Sequence, residues 1–254
     1  MEHPGPPTLS CGQCLAAAHE TFDLSMAFQP IVRYADHTIF AYEALVRSSA
    51  GASAAYVLSR VNDANRYFFD QACRVKAIEM ASRLGIATHL SINFLPKAVY
   101  RPERCIRTTL EAAALYGLPL DRLIFEVVES EEVKDVAHLA AIFHDYRQRG
   151  MQVALDDFGT GYSNLSLLEQ LAPDEVKLDI SLVRGVAASP SKRAVVRAVT
   201  DVCRQLGAKV VAEGVESPDD LWALLDIGVE LFQGFLFSRP GFEELPLPSW
   251  PAGR

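Results

Sequence analysis

The sequence predicts an α/β protein, a (β/α)8 barrel of the TIM type whose first two strands form an antiparallel pair. Strand-like and helix-like segments alternate along most of the 254 residues, giving roughly eight strands. No Pro-, Gly- or Ser-rich linker divides the chain, although its length also suits two small domains. A doubly wound open sheet is the main competitor, but no glycine-rich phosphate turn follows the first strand.

The elements follow in order. "MAFQPIVRY" and "TIFAYEALVR" flank "ADH" and read as a hairpin, which makes the first pair antiparallel. One long helix is expected from about Ala54 to Leu84, closed by Gly85. "THLSIN", a helix near Cys105–Tyr116, "RLIFEVVE" and a helix ending at Gly150 come next. "QVALDD" leads to a short helix around Leu165–Leu171, and "EVKLDI" to a helix ending near Gly207. After "KVVAEG", Ser217 is placed to cap a helix, with Pro218 at its first position and Asp219 and Asp220 at its positive end. Gly228 ends that helix and "ELFQG" is the last strand.

Half the residues are hydrophobic, enough for one large core, and the net charge of −8 without a Lys/Arg cluster argues against a nucleic-acid groove. An anionic substrate therefore needs metals or a few placed cations. No run of 18 apolar residues and no signal peptide are visible, so a soluble cytoplasmic protein that does not engage a membrane is expected. The domain reading is a short leader over 1–20, a barrel over 21–246 and a tail over 247–254. Five scattered cysteines do not read as a disulfide framework. "CGQC" (Cys11, Cys14) has zinc or redox spacing but no second pair, and reads as two reduced thiols in the leader.

The apolar runs of the strands share one feature: they end in residues that bind metals or form hydrogen bonds. Glu43, Asn93, Glu126, the pair Asp156 and Asp157, Glu213 and Gln233 each fall at or near a strand's end. In barrel enzymes these ends converge on one mouth. Taken singly, each is an ordinary turn or cap residue, and Lys177 reads as an ion pair with Asp179 on the same strand face. Taken together, five acids face a single lysine. Each like-charge pair at ~4 Å costs on the order of 4 kcal/mol at an effective dielectric of 20. Divalent cations relieve that cost, and oxygen ligands without a His or Cys cluster favour Mg²⁺ or Mn²⁺. Adjacent strand residues point apart, so Asp156 is suited to one ion and Asp157 to a second or a bridge. This is the two-metal clamp of phosphodiester hydrolysis, with Lys177 positioning the attacking water. Gly159 and Gly161 make "FGTGYSN" a candidate mobile loop.

At this point the sequence resembles a known family, the EAL-domain cyclic di-GMP phosphodiesterases. "AFQPIV", "YEALVR", "LSINFLP", "FEVVES", "LDDFGTGYSNLSLL", "VKLDISLV", "VVAEGVES" and "LFQGFLFSRP" occur in that family's order over about residues 24–240. The wording is most similar to EAL domains linked to blue-light-sensing flavin domains, although only about 20 residues precede the barrel here. The resemblance implies hydrolysis of cyclic di-GMP to pGpG with two Mg²⁺ or Mn²⁺ ions. It implies Glu43, Asn93, Glu126, Asp156 and Asp157 as metal ligands and Lys177 as holder of the catalytic water. Glu213 would serve the metal and water site, Gln233 would order it, and Glu129 would anchor the loop after the aspartate pair. Gln29, Leu45 and Arg47 would contact substrate. It also implies a homodimer through the helix beside the loop, with a separate sensor protein as a possible partner. Departures are small: Val128 replaces a common Thr, Asn164 a common Ser and Phe235 a common Tyr.

Overall fold

The computed structural model describes residues 22–99, 101–128, 135–160 and 165–253. The Cys11–Cys14 motif, Glu129, Gly161 and Asn164 lie outside them.

Strand β1 (Leu24–Arg33) runs antiparallel to β2 (Thr38–Ser48), with Gln29 opposite Glu43, as the hairpin pattern predicts. Then β3 (His89–Phe94), β4 (Leu123–Val128), β5 (Gln152–Phe158), β6 (Glu175–Leu178), β7 (Lys209–Ala212) and β8 (Leu231–Phe232) follow in parallel. β8 pairs antiparallel with β1 and closes the barrel. The expected eight-stranded barrel is thus present, with a ninth short strand, β9 (Gly241–Phe242), added to the free part of β1.

Among the described residues three expected helices are each divided. Cys105 ends a short helix ahead of Arg107–Tyr116, and Ile180–Val183 precedes the helix that ends at Leu206. The largest departure lies before β3. The stretch read as one helix is two, α1 (Ala54–Leu58) and α2 (Arg66–Arg83). Asn62 and Asn65 cause the break. The Asn65 side chain accepts from the Asn62 backbone N–H at 2.8 Å, and Asn62 accepts from Ala64 at 2.9 Å, so the backbone bonds locally instead of continuing the helix. Next come α3 (Pro102–Cys105), α4 (Arg107–Tyr116), α5 (Val136–Gln148), α6 (Leu165–Leu171), α7 (Ile180–Val183), α8 (Pro190–Leu206) and α9 (Pro218–Ile227). Ser217 caps α9 with Pro218 at its first position, as the sequence indicates.

Apolar side chains fill two spaces. The larger lies between the barrel wall and the helices. The smaller is a plug that includes Ile31, Ala41, Ile124, Ala154, Val211 and Leu231. Each of these is two residues away from a polar residue of the mouth: Gln29 precedes Ile31 because β1 runs the other way, and Glu43, Glu126, Asp156, Glu213 and Gln233 follow the rest. Strand side chains repeat every two residues, so the apolar plug is the floor beneath the polar mouth. Past β9, the Tyr42 hydroxyl donates to the Pro246 carbonyl (3.0 Å), the Tyr34 hydroxyl donates to that of Pro251 (3.0 Å), and Trp250 stacks on His37. These contacts hold the chain after β9 against the barrel.

Glu175 breaks the apolar pattern. It lies two residues before Lys177 and is buried, with no hydrogen-bond partner for either carboxylate oxygen. Lys209 stands 3.7 Å away and donates to Gln152. Burial pushes the Glu175 carboxyl up to about 7, against the pull of Lys209 and Lys177. A folded value raised above the ordinary 4.5 adds stability that is complete below pH 4.5 and lost as pH rises through about 7. Glu175→Gln keeps the shape and removes the ionisation. Its stability relative to the wild type is expected to improve by on the order of 3 kcal/mol between pH 4.5 and pH 8. Urea unfolding across that range measures this, and a gap independent of pH would refute it.

Candidate active site

Lys177 stands at the centre of the barrel mouth, fully buried. Its Nζ lies 2.7 Å from Glu213, 2.8 Å from Glu126, 3.3 Å from Asp156 and 3.4 Å from Glu43. The simple pairing of Lys177 with Asp179 does not occur. Asp179 caps α7 instead, accepting from the Ser181 N–H at 2.8 Å. Burial works against a charged Lys177, but the carboxylates outweigh it and hold the ammonium well above its ordinary value.

The acids divide by environment. Glu43 accepts from Asn93 (2.9 Å) and Gln233 (2.8 Å). Burial opposes its ionisation, yet Lys177 and these two amides hold its carboxyl below the usual range. Burial instead raises Glu126, Asp156 and Asp157, with neighbouring acids adding to the effect. Glu213, partly exposed, is pushed up to about 8 by burial, although Lys177 opposes the shift. One ammonium therefore does not compensate five acids, and without further cations the site retains protons.

The adjacent aspartates depart from the geometry a regular strand predicts. Leu155 pairs with Val176 and Phe158 with Leu178, so β5 carries one extra residue there, a β-bulge. Asp157 takes a left-handed backbone, φ 56°, and its N–H donates to the Asp156 carboxylate at 2.8 Å. The two side chains therefore do not point apart. Carboxylate oxygens of Asp156, Asp157 and Glu213 lie within 4.8 Å of one another, as do those of Glu43, Glu126 and Asp156. Asp156 belongs to both groups. These all-oxygen groups fit hard divalent cations such as Mg²⁺, Mn²⁺ or Ca²⁺ better than zinc.

Of the proposed substrate contacts, Gln29 is drawn into the network. It accepts from Gln233 at 3.4 Å and donates to the Ser238 carbonyl at 3.0 Å. Leu45 follows Glu43 on the same strand face at the lip, and Arg47 donates to the Val46 carbonyl (2.8 Å). Ser91 was not singled out by the sequence, yet it is buried and its hydroxyl donates to Glu126. The signal was available, because Ser91 lies two residues before Asn93 and shares its face. Gly234 has a different role. A Cβ there would meet the Val215 carbonyl oxygen at 2.1 Å, so glycine lets the loop after Glu213 close on Gln233, whose carbonyl accepts from Val215 at 3.0 Å.

Comparison with known proteins gives the family and supports the fold. A family model described as EAL domain matches residues 14–240. A standalone versatile EAL protein from Vibrio cholerae, solved in its c-di-GMP-bound form, superposes with a TM-score of 0.87 at 49% identity, covering 90% of this chain and 96% of that one. Klebsiella pneumoniae BlrP1, solved as a manganese/cy-diGMP complex, gives 0.87 at 36% identity over 91% of this chain and 59% of its own. The blue light- and temperature-regulated antirepressor BluF of Escherichia coli is 29% identical over 236 residues, 92% of this chain and 59% of BluF. The cyclic di-GMP phosphodiesterase NbdA of Pseudomonas aeruginosa is 32% identical over 233 residues, 85% of this chain and 29% of NbdA. The chain spans less than two thirds of the length of either curated relative. With the family match running through every strand of the barrel and every strand-end residue of its mouth, the chain belongs to the EAL domain family.

Proposed function

We propose that this chain is a metal-dependent phosphodiesterase that opens cyclic di-GMP to linear pGpG. The observation that carries the reading is the pair of carboxylate groups sharing Asp156 around one buried ammonium. Relatives named as cyclic di-GMP phosphodiesterases, and structure neighbours with bound c-di-GMP and manganese or calcium, support it.

Glu43, Asn93, Glu126 and Asp156 would hold one ion, and Asp156, Asp157 and Glu213 a second. Bound divalent cations neutralise phosphoryl charge and lower the pKa of water. The chain's own residues do the rest. Lys177, held cationic, donates to the attacking water's oxygen and orients it, and it cannot take the proton. Gln233 and Asn93 fix the Glu43 carboxylate by donating to its two oxygens. Arg47 offers a guanidinium to a substrate phosphate, and Gln29 and Leu45 border the substrate. For Glu129, which lies outside the described residues, the role we assign from the family resemblance is that of anchoring the loop after the aspartates. Leu165 of α6, 54% exposed, suits pairing with a second copy, and we place regulation there or in a separate sensor protein. Among the described residues no helix is long and apolar enough to cross a membrane.

A second reading is a cyclic di-GMP receptor that regulates a partner without hydrolysis, favoured by the name of one relative, the antirepressor BluF. One experiment separates the two. The purified protein is incubated with cyclic di-GMP and Mg²⁺ or Mn²⁺, with an EDTA control, and the nucleotides are resolved by chromatography. Metal-dependent pGpG is expected. Tight nucleotide binding in EDTA with no product under any condition would replace the enzyme by the receptor.

A further inference from the structure

Asp70 and Arg74 of α2 form an ion pair withdrawn from water, 2% and 0% exposed and 2.8 Å apart. A buried pair of this kind is commonly no more stable than apolar residues of equal volume. Stability alone therefore does not explain it, and its contacts lead to the mouth. The Asp70 carboxylate accepts from the Leu95 N–H at 2.9 Å, where the chain leaves β3 two residues after Asn93. The Arg74 guanidinium lies over the rings of Phe94 (5.3 Å) and Phe125 (5.1 Å) and donates to the Tyr146 hydroxyl of α5 at 2.7 Å.

Phe94 and Phe125 are the sequence neighbours of Asn93 and Glu126. Side chains alternate across a strand. The rings therefore face the helices where Asn93 and Glu126 face the mouth. The ion pair braces the outer side of β3 and β4 at the level of the site and hydrogen-bonds the first turn after it.

Resting on the metal-dependent reading above, we infer that Asp70 is a positioning residue for the metal site. Its bond to the Leu95 N–H sets the end of β3 and hence where Asn93 presents its side chain beside Glu43. Arg74, 2.8 Å from the Asp70 carboxylate, holds it in place, and neither residue touches the reacting atoms.

Two double variants isolate the bond. Asp70→Asn with Arg74→Met removes both charges but keeps an oxygen that accepts from Leu95. Asp70→Leu with Arg74→Met removes both charges and the acceptor. Mn²⁺ affinity is read by titration with electron paramagnetic resonance, alongside the thermal midpoint and the separate kcat and KM for cyclic di-GMP. The Asn/Met protein is expected to bind Mn²⁺ within about threefold of the wild type, and the Leu/Met protein about 10- to 100-fold more weakly, with kcat falling and KM little changed. Equal Mn²⁺ affinity in the two would overturn the inference, whatever their thermal midpoints. Should the variants not fold, hydrogen exchange in the wild type decides. Mn²⁺ is expected to slow exchange of the Leu95 amide, and an unchanged rate would overturn the inference. A wild type that binds Mn²⁺ without hydrolysing cyclic di-GMP would defeat the enzymatic reading and leave this test standing. A wild type that takes up no Mn²⁺ would defeat both.

Discussion

Asp156→Asn is expected to lower cyclic di-GMP turnover on the order of 10³-fold, equivalent to about 4 kcal/mol of transition-state stabilisation, without loosening the metal-free fold. Asp156 is the acid common to both carboxylate groups, so its charge bears on two cations at once. The fold tells the opposite story. Burial holds the Asp156 carboxyl above its ordinary value, with Glu43 adding to the shift, which means that its charge opposes folding when no cation is present. An amide keeps the volume and an oxygen for the Asp157 N–H while removing that charge. The thermal midpoint in EDTA is therefore expected to stay level or rise as activity disappears. Steady-state kinetics and a thermal melt on the same sample check both halves. Full turnover in this variant would remove Asp156 from the site's chemistry.

Lys177→Met is expected to do the reverse to the fold. It deletes the ammonium that lies within 3.4 Å of four carboxylates and leaves them buried with no counter-charge from this residue. Removing one partner from a buried ionic cluster typically costs about 3–5 kcal/mol. Urea unfolding in EDTA should show that loss. Mn²⁺ should return part of it, because the ions supply the missing positive charge. Turnover should stay absent even with Mn²⁺, since no side chain then orients the water. A variant as stable as the wild type in EDTA would mean that the acids are protonated or solvated independently of Lys177.

These two effects rest on residues that could be read from the sequence: Asp156 ends an apolar run two residues after Ala154 of the barrel's plug, and Lys177 is the one lysine set against the five strand-end acids. The antiparallel first hairpin, the short helix Leu165–Leu171 and the Ser217 cap were legible for similar local reasons. What escaped was set by tertiary context. The β-bulge that turns Asp156 and Asp157 toward the same mouth depends on a left-handed aspartate, a conformation that sequence does not dictate for a residue other than glycine. Asp70 and Arg74 have the i,i+4 spacing of an ordinary surface pair, and only the packing of α2 against β3 and β4 buries them. The division between α1 and α2 turned on side-chain bonds of Asn62 and Asn65 that compete with the helix. Glu175 reads as a polar strand start, yet barrel closure leaves its carboxylate without a hydrogen bond.

The most direct test of the account is a count of Mn²⁺ ions bound per chain at pH 8. The geometry of two carboxylate groups sharing Asp156 predicts two, with affinity weakening toward pH 6 as Glu213, whose carboxyl sits at about 8, and its raised neighbours recover protons. No uptake at millimolar Mn²⁺ would contradict it, and the buried acids around Lys177 would then be an ionic core rather than an active site.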